Sequence, residues 1–226
     1  MSLKRIIFIV LFFALCYFII RTSSLIYYEY KADKEIKKNI GEGNWAVRYK
    51  IFINESVKSG ATIFLGNSHT EIFDLSCFVD TLIVNRGISG DVTEGVLKRL
   101  PEIYRFNPKK IFIEIGVNDI FIKVPLNRIV SNYNKIIANI RKNCPDTKIF
   151  IQSIFPTDNK SVNKKILQFN SELKDICQKK FCTYINLYDL FEKEKTINPG
   201  LTTDGLHLND KGYEIWGKTI SGYVLN

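Results

Sequence analysis

Hydrophobic positions along the chain follow two regimes. Residues 6–20 are apolar without interruption, whereas from residue 61 onward short apolar runs alternate with longer stretches of helical period. The short runs at 61–65, 81–85, 110–115, 148–153 and 183–187 have the length and continuity of strands buried on both faces. The longer stretches at 93–105, 126–143, 159–180 and 210–223 read as helices. Strict alternation of the two predicts an α/β fold of three layers, with five parallel strands covered on both faces by helices and joined by right-handed crossovers. In such sheets ligands bind beyond the carboxyl ends of the strands, near the point where the strand order reverses. No internal repeat or low-complexity tract interrupts the pattern.

The first regime reads differently. Lys4 and Arg5 precede the apolar run, and Arg21 and then Leu25-Ile26-Tyr27-Tyr28 follow it. Fifteen apolar residues match a signal-peptide core, but with Arg21 snorkelling the segment extends to the tyrosines, whose rings suit a membrane interface. No small-x-small cleavage site follows, so residues 1–28 read as an uncleaved signal anchor. Leu15, bulky where a small residue would precede Cys16, argues against a lipoprotein. Basic residues flank both ends, Lys4 and Arg5 on one side and Arg21, Lys31, Lys34, Lys37 and Lys38 on the other, so charge alone does not set the orientation. The expected placement of the folded part is outside the cytoplasm, periplasmic or at the cell surface. Residues 29–58 read as a helical stalk, a break at Gly41-Glu42-Gly43, and a second helix leading into the domain at 59–226.

Composition narrows the function classes. With 226 residues, 46% of them hydrophobic, the chain holds one core-forming domain plus an appendage. The net charge of +9 comes from lysines dispersed among Asn and Ile, without an arginine-rich stripe, so nucleic-acid binding is not expected. Five cysteines form no paired CxxC units, and two histidines leave no HExxH or zinc-ligand spacing, so no metal is expected. Cys16 lies in the apolar segment and Cys77, Cys144, Cys177 and Cys182 in the domain; Cys177 and Cys182 stand close enough to pair in an oxidising compartment, but buried free thiols are the expectation.

Candidate chemistry starts at residues 63–74, IFLGNSHTEIFD. An apolar strand stops at Gly66, and Ser68 follows where Thr70, Glu71 and Ile72 suit the first turn of a helix, a setting that favours developing negative charge. Ser68 is thus a candidate nucleophile, and equally a candidate helix cap. After the second strand comes NRGISGD, residues 85–91, and after the third GVND, residues 116–119; their glycines let backbone N–H groups turn inward and Asn118 supplies a neutral donor. Read singly, each is also an ordinary turn. Near the C-terminus, Asp204 stands close enough to orient His207 as a general base within one turn. His69 directly follows the serine, and side chains of adjacent residues seldom converge, so His69 is a poor base for Ser68.

Taken together these blocks resemble the SGNH hydrolase superfamily, also called GDSL esterases: Gly66-Asn67-Ser68, Gly90 in NRGISGD, Asn118 in GVND, and Asp204 with His207 in DGLH, in the family's order from about residue 61 to the C-terminus. The resemblance implies the flavodoxin-like three-layer fold, a catalytic Ser68, His207 and Asp204, and an oxyanion hole from Ser68, Gly90 and Asn118. Gly90 is assigned over Gly87 because the family's glycine directly precedes the aspartate. Asn67 departs from the family's aspartate in GDS, keeping the acceptor and shape while removing a charge. The stretch NRGISGDVTEGVLKRL is further similar to sialate O-acetylesterases and to platelet-activating-factor acetylhydrolase subunits. The implied activity is cofactor-free hydrolysis of a short acyl ester, an acetyl group on a carbohydrate or similar molecule. Lysophospholipid or thioester cleavage, acetyl transfer to a sugar, and an inactive glycan-binding module are the alternatives.

Overall fold

In the computed structural model, residues 3–79 and 82–225 are described. The chain opens with α1 (Leu3–Asn39), one continuous helix, and after a break at Gly41 continues in α2 (Gly43–Asn54). Gly41 has φ +97°, which glycine adopts without a Cβ penalty, and it ends α1 where the sequence places the break. The expected anchor and the first part of the expected stalk are therefore a single helix; Met1 and Ser2 of that anchor lie outside the described residues.

The domain then alternates β1 (Thr62–Gly66), α3 (Ser68–Ile72), β2 (Ile83–Gly87), α4 (Thr93–Tyr104), β3 (Lys110–Glu114), α5 (Val117–Phe121), α6 (Leu126–Asn143), β4 (Lys148–Gln152), α7 (Lys160–Lys180) and β5 (Thr183–Ile185). A short helix α8 (Tyr188–Phe191), a small antiparallel pair β6 (Glu192–Lys193) and β7 (Thr196–Ile197), and the long α9 (Asp210–Leu225) complete it. The main sheet has the order β2-β1-β3-β4-β5, all parallel, as the alternation of elements requires. Its order reverses between β1 and β3, so the crevice favoured for ligands opens beyond Gly66 and Glu114.

Register explains the core. Phe64 pairs with Phe112, and Phe112 with Phe150, so one face carries three rings stacked at 4.8 and 4.5 Å under α9. On the other face Ile63, Ile111, Ile149, Leu65, Ile113 and Ile151 meet α4, α6 and α7. Each such side chain contributes about 1.5–3 kcal/mol by leaving water. The lower end of α1 joins this packing: Ala32 and Ile36 are buried, and Asp33 pairs with Arg128 of α6 at 2.5 Å. By contrast, residues 6–20 are exposed except for a half-buried Cys16, and α1 alone among the described residues is long and apolar enough to cross a membrane.

The strands differ from expectation at their ends. The second was expected at 81–85; Thr81 lies outside the described residues, and the strand runs Ile83–Gly87. Its polar Arg86 reads as a turn residue in sequence, yet it is buried with its guanidinium over the Phe52 and Phe106 rings and bonded to Glu102 and Glu55. The fifth strand stops at Ile185 rather than residue 187, because the N–H groups of Leu187 and Tyr188 donate to Ser153 Oγ instead of to a neighbouring strand.

Candidate active site

Ser68 begins α3 directly beyond β1, held there by sterics: a side chain at Gly66 would collide with Thr70 and the Glu114 carbonyl, and one at Gly87 with the Glu71 backbone. Asn67, fully buried, caps α3 by accepting the His69 N–H at 2.9 Å. The capping task thus falls to Asn67, and the Ser68 hydroxyl is left for another partner. That partner is His207, whose Nε2 lies 3.1 Å from Ser68 Oγ.

His207 is oriented within its own turn. Asp204 Oδ2 lies 2.7 Å from His207 Nδ1, and Asp204 Oδ1 accepts the N–H groups of Leu206 at 2.9 Å and His207 at 2.7 Å. The bond to the imidazole, reinforced by the two backbone donors, holds the Asp204 carboxyl well below the usual carboxylate range. An ionised carboxylate only accepts, so Nδ1 carries a hydrogen and Nε2 is the ring nitrogen turned toward the serine. Gly205 makes the turn with φ +85°, and its carbonyl accepts the Asp158 N–H at 2.8 Å.

The glycine and asparagine blocks reach the same rim. Ile88 N–H donates to the Gly66 carbonyl at 3.1 Å, which ties the β2 loop to the end of β1. Gly90 sits in that loop at φ +79° with open space where a Cβ would stand. Asn118, on α5 beyond β3, donates through Nδ2 to the Asp91 carbonyl at 2.9 Å and so abuts the Gly90-Asp91 turn.

Three buried polar groups beneath this rim were not read from the sequence. Asp91, seen there only as the neighbour of Gly90, accepts from Trp45 Nε1 at 3.0 Å, Arg99 Nε at 2.8 Å and its following N–H at 2.9 Å, while Arg99 also donates to the Gly66 carbonyl at 3.1 Å. Burial raises the Asp91 carboxyl despite those partners. Asp119 accepts from the N–H and hydroxyl of Thr93, and burial pushes it up to about 7. His69, not expected as a base for Ser68, is fully buried: its Nε2 lies 2.9 Å from the Leu206 carbonyl and its Nδ1 lies 3.6 Å from Glu114 Oε2. Burial disfavours its charge, but Glu114 outweighs that and the imidazole is raised. The available signal was weak: an acid at the end of a strand and a histidine next to a serine.

All five cysteines are free, Cys144 and Cys177 being buried. Among the described residues no group of three or more His, Cys, Asp or Glu side chains is arranged to hold a metal.

Three segments distant in sequence thus meet at one rim of a parallel α/β sheet, and the fold recurs in known proteins. Residues 76–215 match the GDSL-like Lipase/Acylhydrolase family, and the chain belongs to that family of carboxylic ester hydrolases. The match includes Gly90, Asn118, Asp204 and His207 and begins after Ser68. A Streptococcus pneumonia structure whose description names platelet activating factor is similar with a TM-score of 0.71 and 26% identity, covering 91% of this chain and 98% of that one. A GDSL-like lipase from Bacteroides thetaiotaomicron has a TM-score of 0.72 at 20% identity, covering 80% of this chain and 97% of that one. Among curated proteins, an N-acylneuraminate cytidylyltransferase of Streptococcus agalactiae is 24% identical over 172 residues, 74% of this chain but only 40% of that protein's length. An arylesterase of Vibrio mimicus is 38% identical over 63 residues, 27% of this chain and 32% of that one.

Proposed function

We propose that this chain hydrolyses a short acyl ester, an acetyl group on a carbohydrate or similar molecule, through an acyl-enzyme at Ser68. The observation that carries the reading is the relay from Ser68 Oγ to His207 Nε2 at 3.1 Å and from His207 Nδ1 to Asp204 at 2.7 Å. Ser68 attacks the carbonyl carbon as His207 takes its proton, and the oxygen that becomes negative is met by the N–H groups of Ser68 and Gly90 and by Asn118 Nδ2. Asn118 has two amide hydrogens, one engaged by the Asp91 carbonyl, so the other serves the oxyanion. The protonated His207 then releases the alcohol, and water activated by the same ring frees the acid. Carbohydrate is favoured by the similarity to a protein named for N-acylneuraminate. Residues 1–28 serve as a membrane anchor, with the domain outside the cytoplasm.

One observation favours a second reading, cleavage of a longer acyl chain as in a lysophospholipid. A cavity of about 1010 Å³ beside His207 is lined by Phe73, Phe78, Leu208, Tyr213 and Leu225, more apolar space than an acetyl group fills. A chain-length series of p-nitrophenyl esters, run beside acetylated sialic acid and acetylated xylan with Ser68→Ala as control, decides between them. Fastest turnover on acetyl esters supports the first reading; a rate that climbs with chain length supports the second.

A further inference from the structure

The path of α1 sets which side of the domain meets the membrane. Helices that follow parallel strands start at the carboxyl rim and run back toward the opposite end, so the first turns of α4, α6 and α7 mark the rim that carries Ser68, Gly90, Asn118 and His207. α1 reaches this rim with residues 28–33, in its C-terminal third. Asp33 bonds Arg128 in the first turn of α6, and Arg128 bonds Glu94 in the first turn of α4 at 2.5 Å. Tyr28 stands over Lys123, with the ammonium 5.9 Å from its ring, and lines a cavity of about 390 Å³ with Ile120, Pro125 and Lys165. Toward its C-terminus α1 descends along the flank: Ile36 is buried in the core, and α2 ends where Arg105, just past α4, donates to the Ile53 carbonyl at 2.8 Å. Followed the other way, from Tyr28 toward Arg21, the helix leaves the domain past the rim.

We infer that α1 suspends the domain with its active-site rim turned toward the lipid headgroups, so that the ester reaching Ser68 is one presented at a membrane surface. This rests on the anchor reading of residues 1–28. Seven residues separate Arg21 from Tyr28, so the rim lies about 10 Å beyond the snorkelling arginine along an unbroken helix. Had the stalk been a loose spacer, the domain would tumble; the buried Ala32 and Ile36 and the Asp33–Arg128–Glu94 bridge fix it instead. The rim surface beside α1 suits headgroups, with Lys123, Lys160, Lys164 and Lys165 exposed around an exposed Phe121 and partly offset by Asp158. A cytosolic-type soluble substrate needs no such arrangement, whereas an acylated molecule confined to the bilayer surface is met face on.

The test uses the full chain reconstituted in phosphatidylcholine vesicles containing phosphatidylglycerol and a headgroup-nitroxide lipid. A fluorescent amino acid replaces Phe121, on the rim, in one preparation, and Lys109, exposed at the opposite end of β3, in another. These positions differ in height by at least one strand, about 17 Å, so quenching at 121 should exceed that at 109 roughly threefold or more. p-Nitrophenyl acetate turnover in each preparation shows that the domain is folded and reads the esterase proposal separately. Equal quenching at both positions, or stronger quenching at 109, in chains that float with the vesicles overturns the rim orientation while leaving the anchor standing. Failure to float overturns the anchor and the orientation with it.

Discussion

The two histidines are neighbours with opposite assignments. Their rings lie 5.8 Å apart, and each faces a carboxylate, His207 at 2.7 Å from Asp204 and His69 at 3.6 Å from Glu114. The side chains of the first pair are 33% and 53% exposed, those of the second 1% and 0%, and the difference decides what each ring can do. His207 spends its Nδ1 hydrogen on an ionised, solvated carboxylate and keeps Nε2 open toward Ser68. His69 has Nε2 against the Leu206 carbonyl, which only accepts, so that nitrogen carries a hydrogen and has no lone pair to offer. The buried pair instead holds the segment on which His207 rides. A histidine beside a serine is therefore no guide to catalysis; the direction in which its nitrogens are spent is.

The comparison breaks most visibly if His207 is removed. His207→Ala should lower turnover on p-nitrophenyl acetate on the order of 10⁶-fold, as for loss of a base from a serine relay, while the fold survives because the side chain is partly exposed. Asp204→Asn keeps the shape but removes the acceptor that selects the tautomer, and turnover should fall roughly 10⁴-fold. Removing the oxyanion donor in Asn118→Ala should cost roughly 10²- to 10³-fold in turnover, and an unchanged rate would remove that residue from the mechanism.

The buried pair should respond in stability. His69→Gln leaves Glu114 uncompensated and should cost about 3–5 kcal/mol in denaturant unfolding, with partial recovery when Glu114→Gln is added. Molecules that remain folded should keep turnover within roughly 10²-fold of the parent, since only the tether to Leu206 is lost. The smallest expected effect is on pH dependence. Asp119 has a folded value of about 7 against about 3.9 for a free side chain, so the stability linked to it is full below about pH 4 and lost as pH rises toward 7. Asp119→Asn should make the fall in melting temperature across that range shallower.

What could be read beforehand, and what could not, follows the same division. Alternating apolar runs and helical stretches are set by local periodicity, so the order of elements and the parallel sheet were legible. Motif blocks at strand ends were legible because each sits next to a glycine with a physical reason to be there, lack of room for a side chain at Gly66 and a positive φ at Gly90. Arg86 was misread as a turn residue because its burial depends on Phe52, Phe106 and Glu102, none of them local. The docking of α1 was hidden for a similar reason: Ala32 and Ile36 look like ordinary residues of a charged helix until Arg128, far along the chain, reaches Asp33.

The central claim is that the Ser68 hydroxyl is activated by His207, and covalent trapping tests it most directly. Intact protein treated with a fluorophosphonate and mapped by peptide mass spectrometry should carry one adduct, on Ser68, formed far more slowly in His207→Ala. An adduct on another residue, or none in a preparation that still cleaves esters, would contradict the account.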